Sequence, residues 1–298
     1  MRLIGDILSL MTAAGLACLP AGAVTRYVDV DSQDPQSPYT NAAHAAVTIQ
    51  DAIDVAATND LILVAEGVYD SGTRVVDGSM KNRVVIDKPV TVRGSGSRDA
   101  VVIEGQGPVG DTAVRGVYFG AAATLERLTV RSGHTRRDGD VDSEQSGGGL
   151  YCPGEGAVVS NCVISGNGAY HFGAGAYGTY SYGISLHDSL LADNTVLDQD
   201  GGGAAGCRLY DCVVRDNYAG DEGGGMSNCS AWRCQVYRNE AARGGGGMFF
   251  GGARACVLYD NTAGSAGGGS HFTSLWNCLL YRNVAAEPFG RGGGSNVG

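Results

Sequence analysis

The sequence predicts an all-β fold, a right-handed parallel β-helix solenoid with about 22 residues per coil and an N-terminal capping helix. Two features repeat in step along the second half of the chain. Short apolar segments end in asparagines spaced 27, 23, 22, 22 and 22 residues apart, namely Asn167, Asn194, Asn217, Asn239, Asn261 and Asn283. Glycine triplets recur beside them, at Gly147–Gly149, Gly201–Gly203, Gly223–Gly225, Gly245–Gly247, Gly267–Gly269 and Gly292–Gly294, with Gly173-Ala174-Gly175 as a variant. Such self-similarity is typical of solenoids, in which each coil buries its apolar residues by stacking on its neighbours.

The pattern inside each repeat favours strands over helices. Cys212 and Val214 alternate with Val213 and Arg215, a period of two, and no period of 3.6 residues continues through the glycine triplets. A leucine-rich horseshoe has a similar repeat length, but it needs a regular connecting segment where this chain has turn residues. The parallel β-helix is therefore the favoured solenoid.

Composition and charge restrict the class of protein and its partners. Of 298 residues, 43% are hydrophobic and 49 are glycine, without the every-third-residue period of collagen, so the chain is globular. Its 21 basic and 31 acidic side chains give a net charge of −10, with no basic run. Nucleic acids and anionic membranes need clustered positive charge, so neutral or cationic partners fit better.

The N-terminal segment, residues 1–23, has the pattern of a secretory signal peptide. Met1-Arg2 precede an apolar stretch from Ile7 to Leu19, and Ala21-Gly22-Ala23 supplies a cleavage site after Ala23. The alternative is a buried N-terminal helix. The apolar stretch is too short to cross a bilayer, so the sequence predicts no membrane span and a secreted or bacterial cell-surface protein.

Residues 24–298 are predicted to form one β-helix domain. In the cap region, residues 24–60, Ile49, Ala52, Ile53 and Ala56 share one helical face that can cover an open end of the coil stack. Residues 61–146 are predicted to form irregular coils and residues 147–298 regular glycine-rich coils. The sequence has no recognisable C-terminal cap, which would leave a strand edge available for end-to-end self-association.

An acidic loop between the irregular and the regular coils is a candidate calcium site. Asp138, Asp140, Asp142 and Glu144 alternate with other residues, and carboxylates in this pattern can supply the hard oxygen ligands of Ca²⁺. Ser143 stands where a calcium loop needs its tight-turn glycine, which favours a solvated acidic loop instead. No other cofactor is implied.

The asparagine, glycine and cysteine columns are predicted to be structural. Asparagine tolerates the left-handed backbone of a turn, and stacked amides can bond along the axis, whereas glycine serves a second tight corner. Eight cysteines follow the predicted cleavage site. Most lie 22 residues apart in two series, Cys207 and Cys229, and Cys212, Cys234, Cys256 and Cys278. We expect buried thiols, because parallel Cβ vectors strain a disulfide between stacked residues.

Two outward columns are the candidate binding residues. The first comprises His187, Tyr210, Trp232, Arg254 and Trp276, and the second comprises Tyr237, Tyr259 and Tyr281. They are predicted to share one side of the rod, with Trp232 and Trp276 roughly 10 Å apart by the strand spacing. Exposed aromatic faces in register suit sugar stacking or a partner surface, and the alternative is that these rings pack beneath loops.

The N-terminal motifs resemble a known superfamily. Ile49-Gln50-Asp51-Ala52-Ile53, followed by Asn59-Asp60-Leu61-Ile62-Leu63-Val64 and Gly67-Val68-Tyr69, is similar to the cap and first strand of the pectin-lyase-like β-helix proteins. The Gly-Gly-Gly and Val-x-x-Asn repeats resemble those of polymorphic outer-membrane proteins. The resemblance implies a β-helix over about residues 45–298. It does not select a function, because that superfamily contains lyases, hydrolases, esterases and adhesins.

Two functions follow from these observations. The first is a secreted or cell-surface module that binds polysaccharide or a surface protein through Tyr210, Trp232, Tyr237, Arg254, Tyr259, Trp276 and Tyr281. The second is a polysaccharide lyase or glycoside hydrolase that acts on uronate-type polymers beside the acidic loop. The catalytic motifs by which pectate lyases, polygalacturonases and pectin methylesterases resemble one another do not occur in the sequence, which favours the first function.

Overall fold

A computed structural model describes residues 22–179, 183–286 and 293–296. The predicted signal peptide lies outside the described residues except for Gly22 and Ala23. The described chain forms three sheets that run along one another, and their strands pair in parallel except for one antiparallel pair, Arg74–Val75 with Lys81–Ile86. This arrangement confirms the predicted parallel β-solenoid.

Sheet A is the longest of the three and has 17 strands. They are β1 (Thr25–Val28), β2 (Leu61–Val64), β4 (Arg74–Val75), β5 (Lys81–Ile86), β6 (Thr91–Gly94), β8 (Val114–Phe119), β9 (Thr124–Glu126), β11 (Leu150–Cys152), β12 (Ala157–Ser160), β15 (Ala176–Gly178), β16 (Ile184–His187), β19 (Ala204–Ala205), β20 (Cys207–Tyr210), β23 (Met226–Trp232), β26 (Met248–Arg254), β29 (Ser270–Trp276) and β32 (Ser295–Asn296).

Sheets B and C complete each coil. Sheet B has nine strands, β3 (Gly67–Tyr69), β7 (Val101–Glu104), β10 (Thr129–Arg131), β13 (Val163–Ser165), β17 (Leu190–Ala192), β21 (Val213–Arg215), β24 (Gln235–Tyr237), β27 (Val257–Tyr259) and β30 (Leu279–Tyr281). Sheet C has six short strands, β14 (Gly168–Ala169), β18 (Thr195–Val196), β22 (Tyr218–Ala219), β25 (Glu240–Ala241), β28 (Thr262–Ala263) and β31 (Val284–Ala285).

The coil length departs from the predicted value in the first half of the chain. The average is about 26 residues per turn, whereas equivalent asparagines from Asn217 onward are 22 residues apart. The difference arises from long connections between the earlier coils. The bond between Gly133 and Asn167, for example, joins residues 34 apart, because the acidic loop is inserted in that coil.

The asparagine column forms a continuous amide ladder inside the solenoid. Each side chain from Asn167 to Asn261 donates from Nδ2 to Oδ1 of the next asparagine at 2.9 Å. The same Oδ1 also accepts from the backbone N–H of the previous asparagine, as Asn217 Oδ1 does from Asn194 at 3.0 Å. Nδ2 donates its second hydrogen to a backbone carbonyl, so these buried amides are fully paired.

One part of the asparagine prediction is wrong. The left-handed residue of this turn is the one before each asparagine, as at Asp193 (φ 58°), Asp216 (φ 56°) and Arg238 (φ 52°). The asparagine itself turns its side chain inward to form the ladder, which a residue at the tip of the turn cannot do.

The glycine corner is confirmed. In every triplet whose first glycine is among the described residues, that glycine has a positive φ, as at Gly223 (φ 67°), where a side chain would be strained. The following glycines allow backbones to approach closely, because a Cβ at Gly202 would lie 2.4 Å from the carbonyl oxygen of Gly224. Stacked coils therefore require glycine here.

The core lies between the three sheets and is built from inward columns of small and branched apolar residues. The cysteines belong to these columns, as predicted: the eight in the described chain are unpaired, and all are buried except the half-buried Cys278. Burial raises the pKa of Cys162 to about 12, so this thiol stays protonated at neutral pH.

A short helix, α1 (Ile49–Asp54), follows a 3₁₀ turn at Ala42–His44. Thr48 caps it, since its Oγ1 accepts from the Asp51 N–H at 3.1 Å. The buried face of α1 packs against β1, β2 and β5. That the helix closes the end of the coil stack stays a prediction. In the described part of the chain, no helix is long and apolar enough to cross a membrane.

We expect Asn217→Ala to lower the free energy of unfolding by about 3 kcal/mol, because it breaks several hydrogen bonds and leaves buried donors of Asn194 without an acceptor. The measurement is the midpoint of urea unfolding followed by circular dichroism. Gln235→Ala, at an exposed position of the same coil, is the control and should leave the midpoint unchanged. Equal midpoints for the two variants would show that the ladder does not stabilise the fold.

Candidate functional site

The first predicted column lies on the outer face of sheet A and is continuous for three coils. The rings of His187, Tyr210 and Trp232 stack with centroids 4.8 Å apart and interplanar angles of 8° and 10°. The column then continues in register through Arg254 to Trp276. The two tryptophans are thus two coils apart, with a guanidinium between them.

An open groove of about 520 Å³ lies between these tryptophans. We call it the tryptophan groove. Its lining residues are Ser230, Ala231, Trp232, Gly251, Gly252, Ala253, Arg254, Ser274 and Trp276. Gly252 forms its floor where the neighbouring coils carry Ser230 and Ser274. The Trp276 ring leans over this floor, because a Cβ at Gly252 would lie 3.2 Å from Cζ3 of Trp276, yet 54% of Trp276 stays exposed.

The second column lies on another sheet. Tyr237, Tyr259 and Tyr281 stack on sheet B with centroids 4.7 Å and 5.1 Å apart. The guanidinium of Arg238 lies over the Tyr237 ring, and that of Arg282 over the Tyr281 ring. A turn separates the two sheets in each coil, so the structure does not confirm that the columns share one side of the rod. The pocket that Tyr237 lines also contains Arg98 and does not include the tryptophans.

The carboxylates of the candidate calcium loop bind different partners rather than one common point. Glu144 is buried and accepts from the N–H groups of Ser79 at 2.7 Å and Asp140 at 3.1 Å. Asp140 accepts from the N–H of Ser143, and Asp142 accepts from the Tyr177 hydroxyl at 2.5 Å.

The fourth carboxylate, that of Asp138, is exposed. Within residues 22–179, 183–286 and 293–296, no group of three or more His, Cys, Asp or Glu side chains is placed to hold a metal ion. The four residues therefore do not form an assembled calcium site, and calcium binding by this loop stays an untested prediction.

The loop instead positions an aromatic wall. The fully buried Arg115 fixes its base by donating to the carbonyl oxygens of Ser143 and Ser146 at 2.7 and 2.9 Å. Burial lowers the pKa of Arg115 to about 10. From this loop Asp142 holds the hydroxyl of Tyr177, whose ring stacks on Phe172 with centroids 5.8 Å apart.

A second groove, of about 400 Å³, begins at this wall. We call it the phenylalanine groove. Its lining residues are Phe172, Tyr177, Gly178, Thr179, Asp200, Ala205, Gly206, Ser227, Asn228, Phe249 and Phe250. Tyr177, Ala205, Ser227 and Phe249 are equivalent residues of successive coils. Two small side chains thus form a floor between aromatic walls.

The far wall depends on an unusual backbone conformation. Phe250 has a φ of 49°, which bulky residues rarely adopt, and this left-handed step, which recurs at Asn228 and Phe272 in the neighbouring coils, interrupts the alternation of β26. Phe249 and Phe250 are therefore both on the outer face, with ring centroids 4.6 Å apart and an interplanar angle of 70°. Half of Phe250 is exposed.

Three carboxylates lie at the corner beside the phenylalanine groove. Asp200 Oδ1 accepts from the Glu222 N–H at 3.0 Å. Asp221 pairs with Arg243 at 3.1 Å, and Glu222 Oε1 lies 3.7 Å from His271 Nδ1. Burial and the charges of Asp200 and Asp221 raise the pKa of Glu222 to about 7. The pKa of Asp200 is raised by burial and by Asp221, whereas burial lowers the pKa of His271.

Sequence reasoning missed this corner, although a signal was present. Asp200 and Glu222 each come directly before a glycine triplet and are 22 residues apart, which places them in neighbouring coils. The equivalent positions in other coils carry Phe172, Gly244 and Ala266. Asp200 and Glu222 thus differ in charge from these equivalent residues, and that difference could have indicated the site.

Comparison with solved structures supports the fold. The crystal structure of pectate lyase Pel9A aligns with 93% of this chain and 78% of that chain, with 13% identity and a TM-score of 0.54. Escherichia coli YbhC aligns with 87% of this chain and 74% of that chain at 13% identity, and its TM-score of 0.45 is too low to support an argument. No protein-family model and no curated protein matches. The likeness to Pel9A shows the fold alone and supports the predicted parallel β-helix.

We expect Glu222→Gln to stabilise the protein at pH 8 more than at pH 4.5. A folded pKa of about 7, above the ordinary 4.5, means that the unfolded chain loses this proton first. The carboxyl therefore costs stability progressively as pH rises from 4.5 to 7, and glutamine removes that cost. The measurement is the urea midpoint at both pH values, with the exposed Glu240→Gln as control. A difference between variant and wild type that does not grow with pH would contradict the assignment.

Proposed function

We propose that this protein is a secreted or cell-surface β-helix module that binds a neutral polysaccharide in the tryptophan groove. The observation that supports the proposal best is that the exposed Trp276 and the half-buried Trp232 flank a floor at Gly252, a residue without a side chain. The signal-peptide pattern of residues 1–23 supports secretion. Pectate lyase Pel9A, which shares the fold, is named for a polysaccharide substrate.

The dimensions and chemistry of the groove suit a sugar chain. Two coils separate Trp232 from Trp276 by about 10 Å, which is comparable to two sugar units of an extended glycan. Indole faces provide apolar area for the C–H faces of sugars. Ser230, Ser274 and Arg254 border the floor and can donate hydrogen bonds to hydroxyl groups. Because the groove is open, a polymer can lie across it without an end having to enter.

Charge favours a neutral polymer over a uronate. The net charge of −10 repels polyanions at long range. Arg254 is one positive group in the tryptophan groove, and the nearby Arg233 is already paired with Asp211 at 2.6 Å. The proposed ligand therefore differs in charge from pectate, the polymer for which Pel9A is named.

The alternative function, a lyase or hydrolase beside the acidic loop, has less support. Glycosidic cleavage needs two carboxyl groups on opposite sides of one bond, and β-elimination needs a base with charge neutralisation at the uronate. Glu144 is buried under backbone donors, and Asp142 is bonded to Tyr177. The loop thus does not bring two free carboxylates together.

The test is a glycan-array screen of residues 24–298, followed by affinity electrophoresis in gels containing the polymers that bind. We expect a neutral polymer to retain the protein and Gly252→Val to abolish retention, because the added side chain fills the floor and displaces the Trp276 ring that leans over it. Trp276→Ala should weaken retention about ten-fold, in line with the loss of a buried aromatic contact.

Leu279→Ala is the matched control, since Leu279 is 57% exposed on the adjacent sheet B. It should retain full binding. Binding that survives both Gly252→Val and Trp276→Ala would remove the tryptophan groove from the interface. Release of new reducing ends or of unsaturated products from the same polymers would favour the enzyme instead.

A further inference from the structure

We propose that the phenylalanine groove binds an organic ammonium group, with the cation against the Phe249–Phe250 wall and Asp200 as the counter-ion. This site is separate from the tryptophan groove and does not rest on the proposed function. Its ligand chemistry is argued from the shape of the groove, its ring faces and the charge at its corner.

The groove is open to solvent on one side and has an aromatic wall at each end. Tyr177 and Phe172 form one wall, and Phe249 and Phe250 form the other. Three coil steps of about 4.8 Å place the walls about 14 Å apart, so one cation lies against one wall and the rest of a methylated or sugar-borne ammonium ligand can extend toward the other. The floor consists of Ala205 and Ser227, so that no large side chain fills the space. The negative faces of aromatic rings attract weakly hydrated cations.

The negative charge at the corner favours a positively charged ligand. Asp200 enters the groove and is hydrogen-bonded by Ser227 and by the Glu222 N–H. Asp221 and Glu222 lie beside it, and Arg243 is paired with Asp221 rather than with Asp200. Burial, together with the charges of the neighbouring carboxylates, raises the pKa values of Asp200 and Glu222. An anionic ligand would increase the repulsion among these carboxylates, and a neutral ligand would not reduce it.

A bare metal ion fits less well than an organic cation. A hard divalent ion needs six or more oxygen ligands for calcium, or a nearly complete octahedron for magnesium. In the described residues no cluster offers even three acidic or metal-ligating side chains to one point. Aromatic rings beside one carboxylate instead match the way that proteins recognise quaternary ammonium groups.

Protons provide a second signature of binding. Asp200, Asp221, Arg243 and His271 are the charged or titratable groups that face Glu222. A bound cation favours the ionised carboxylates, so it lowers the pKa of Glu222 from about 7 and releases protons at neutral pH. Affinity for the cation should therefore fall as pH decreases from 8 to 5.

The experiment is calorimetric titration of the folded protein with choline and with 3,3-dimethylbutan-1-ol, its uncharged carbon analogue. We expect choline to bind at least about ten-fold more tightly, as cation–π and charge pairing together predict. Titrations at pH 7 in buffers of different ionisation enthalpy should show proton release. Glucosamine and N-acetylglucosamine form a second pair, and the stronger of the two cations shows whether the natural ammonium is quaternary or belongs to an amino sugar.

Matched variants locate the site. Phe250→Asn copies Asn228, the equivalent residue of the preceding coil with the same φ of 49°, and should weaken cation binding about ten-fold. Phe272→Asn, one coil further and outside the groove lining, should not. Asp200→Asn should weaken binding by a similar factor, whereas Asp193→Asn, with the same substitution at an exposed turn, should have no effect.

Three results would overturn the proposal: neither cation binds, the uncharged analogue binds as tightly as choline, or Asp200→Asn and Phe250→Asn bind as well as their controls. Circular dichroism establishes that each variant is folded. If one is not, the pH dependence and proton release of the wild-type protein still decide the question, because an apolar cleft without a carboxylate counter-ion would show neither.

Discussion

The asparagine ladder and the glycine corner fix the register of every coil, and the outer surface depends on that register. The ladder joins each coil to the next through paired amides at 2.9 Å, and the glycines permit backbone approaches that a Cβ would prevent. Because a slip of one residue would break both, equivalent side chains are held in columns about 4.8 Å apart. A solenoid of this kind thereby converts a linear repeat into aligned rows of chemical groups.

Grooves arise where such a row is interrupted by small side chains. Gly252 interrupts a serine column and forms the floor between Trp232 and Trp276. Ala205 and Ser227 interrupt an aromatic column and form the floor of the phenylalanine groove. A continuous column such as Tyr237–Tyr259–Tyr281 leaves no comparable gap between its rings. Departures from the repeat, rather than the repeat itself, therefore indicate where ligands can be held.

This distinction explains what the sequence could and could not predict. The 22-residue spacing was sufficient for the coil stack, the amide ladder and the buried thiols, because each follows from periodicity alone. It could not place the left-handed residue beside Asn217, since that depends on the turn geometry. It did not reveal that Asp142 accepts a hydrogen bond from Tyr177, because the two residues are 35 positions apart in the sequence. Nor did it show that Phe249 and Phe250 share one face, which requires the left-handed backbone at Phe250.

The same strand supplies both grooves. In β26, Phe249 and Phe250 form a wall of the phenylalanine groove, and the next two residues, Gly251 and Gly252, form the floor of the tryptophan groove. Gly251 has a φ of 99°, and a Cβ there would lie 2.0 Å from the carbonyl oxygen of Cys229. The left-handed step at Phe250 and the glycines that follow thus form one backbone unit. A change that relaxed this left-handed step would return the strand to simple alternation, turn one phenylalanine away from the surface and alter both grooves together.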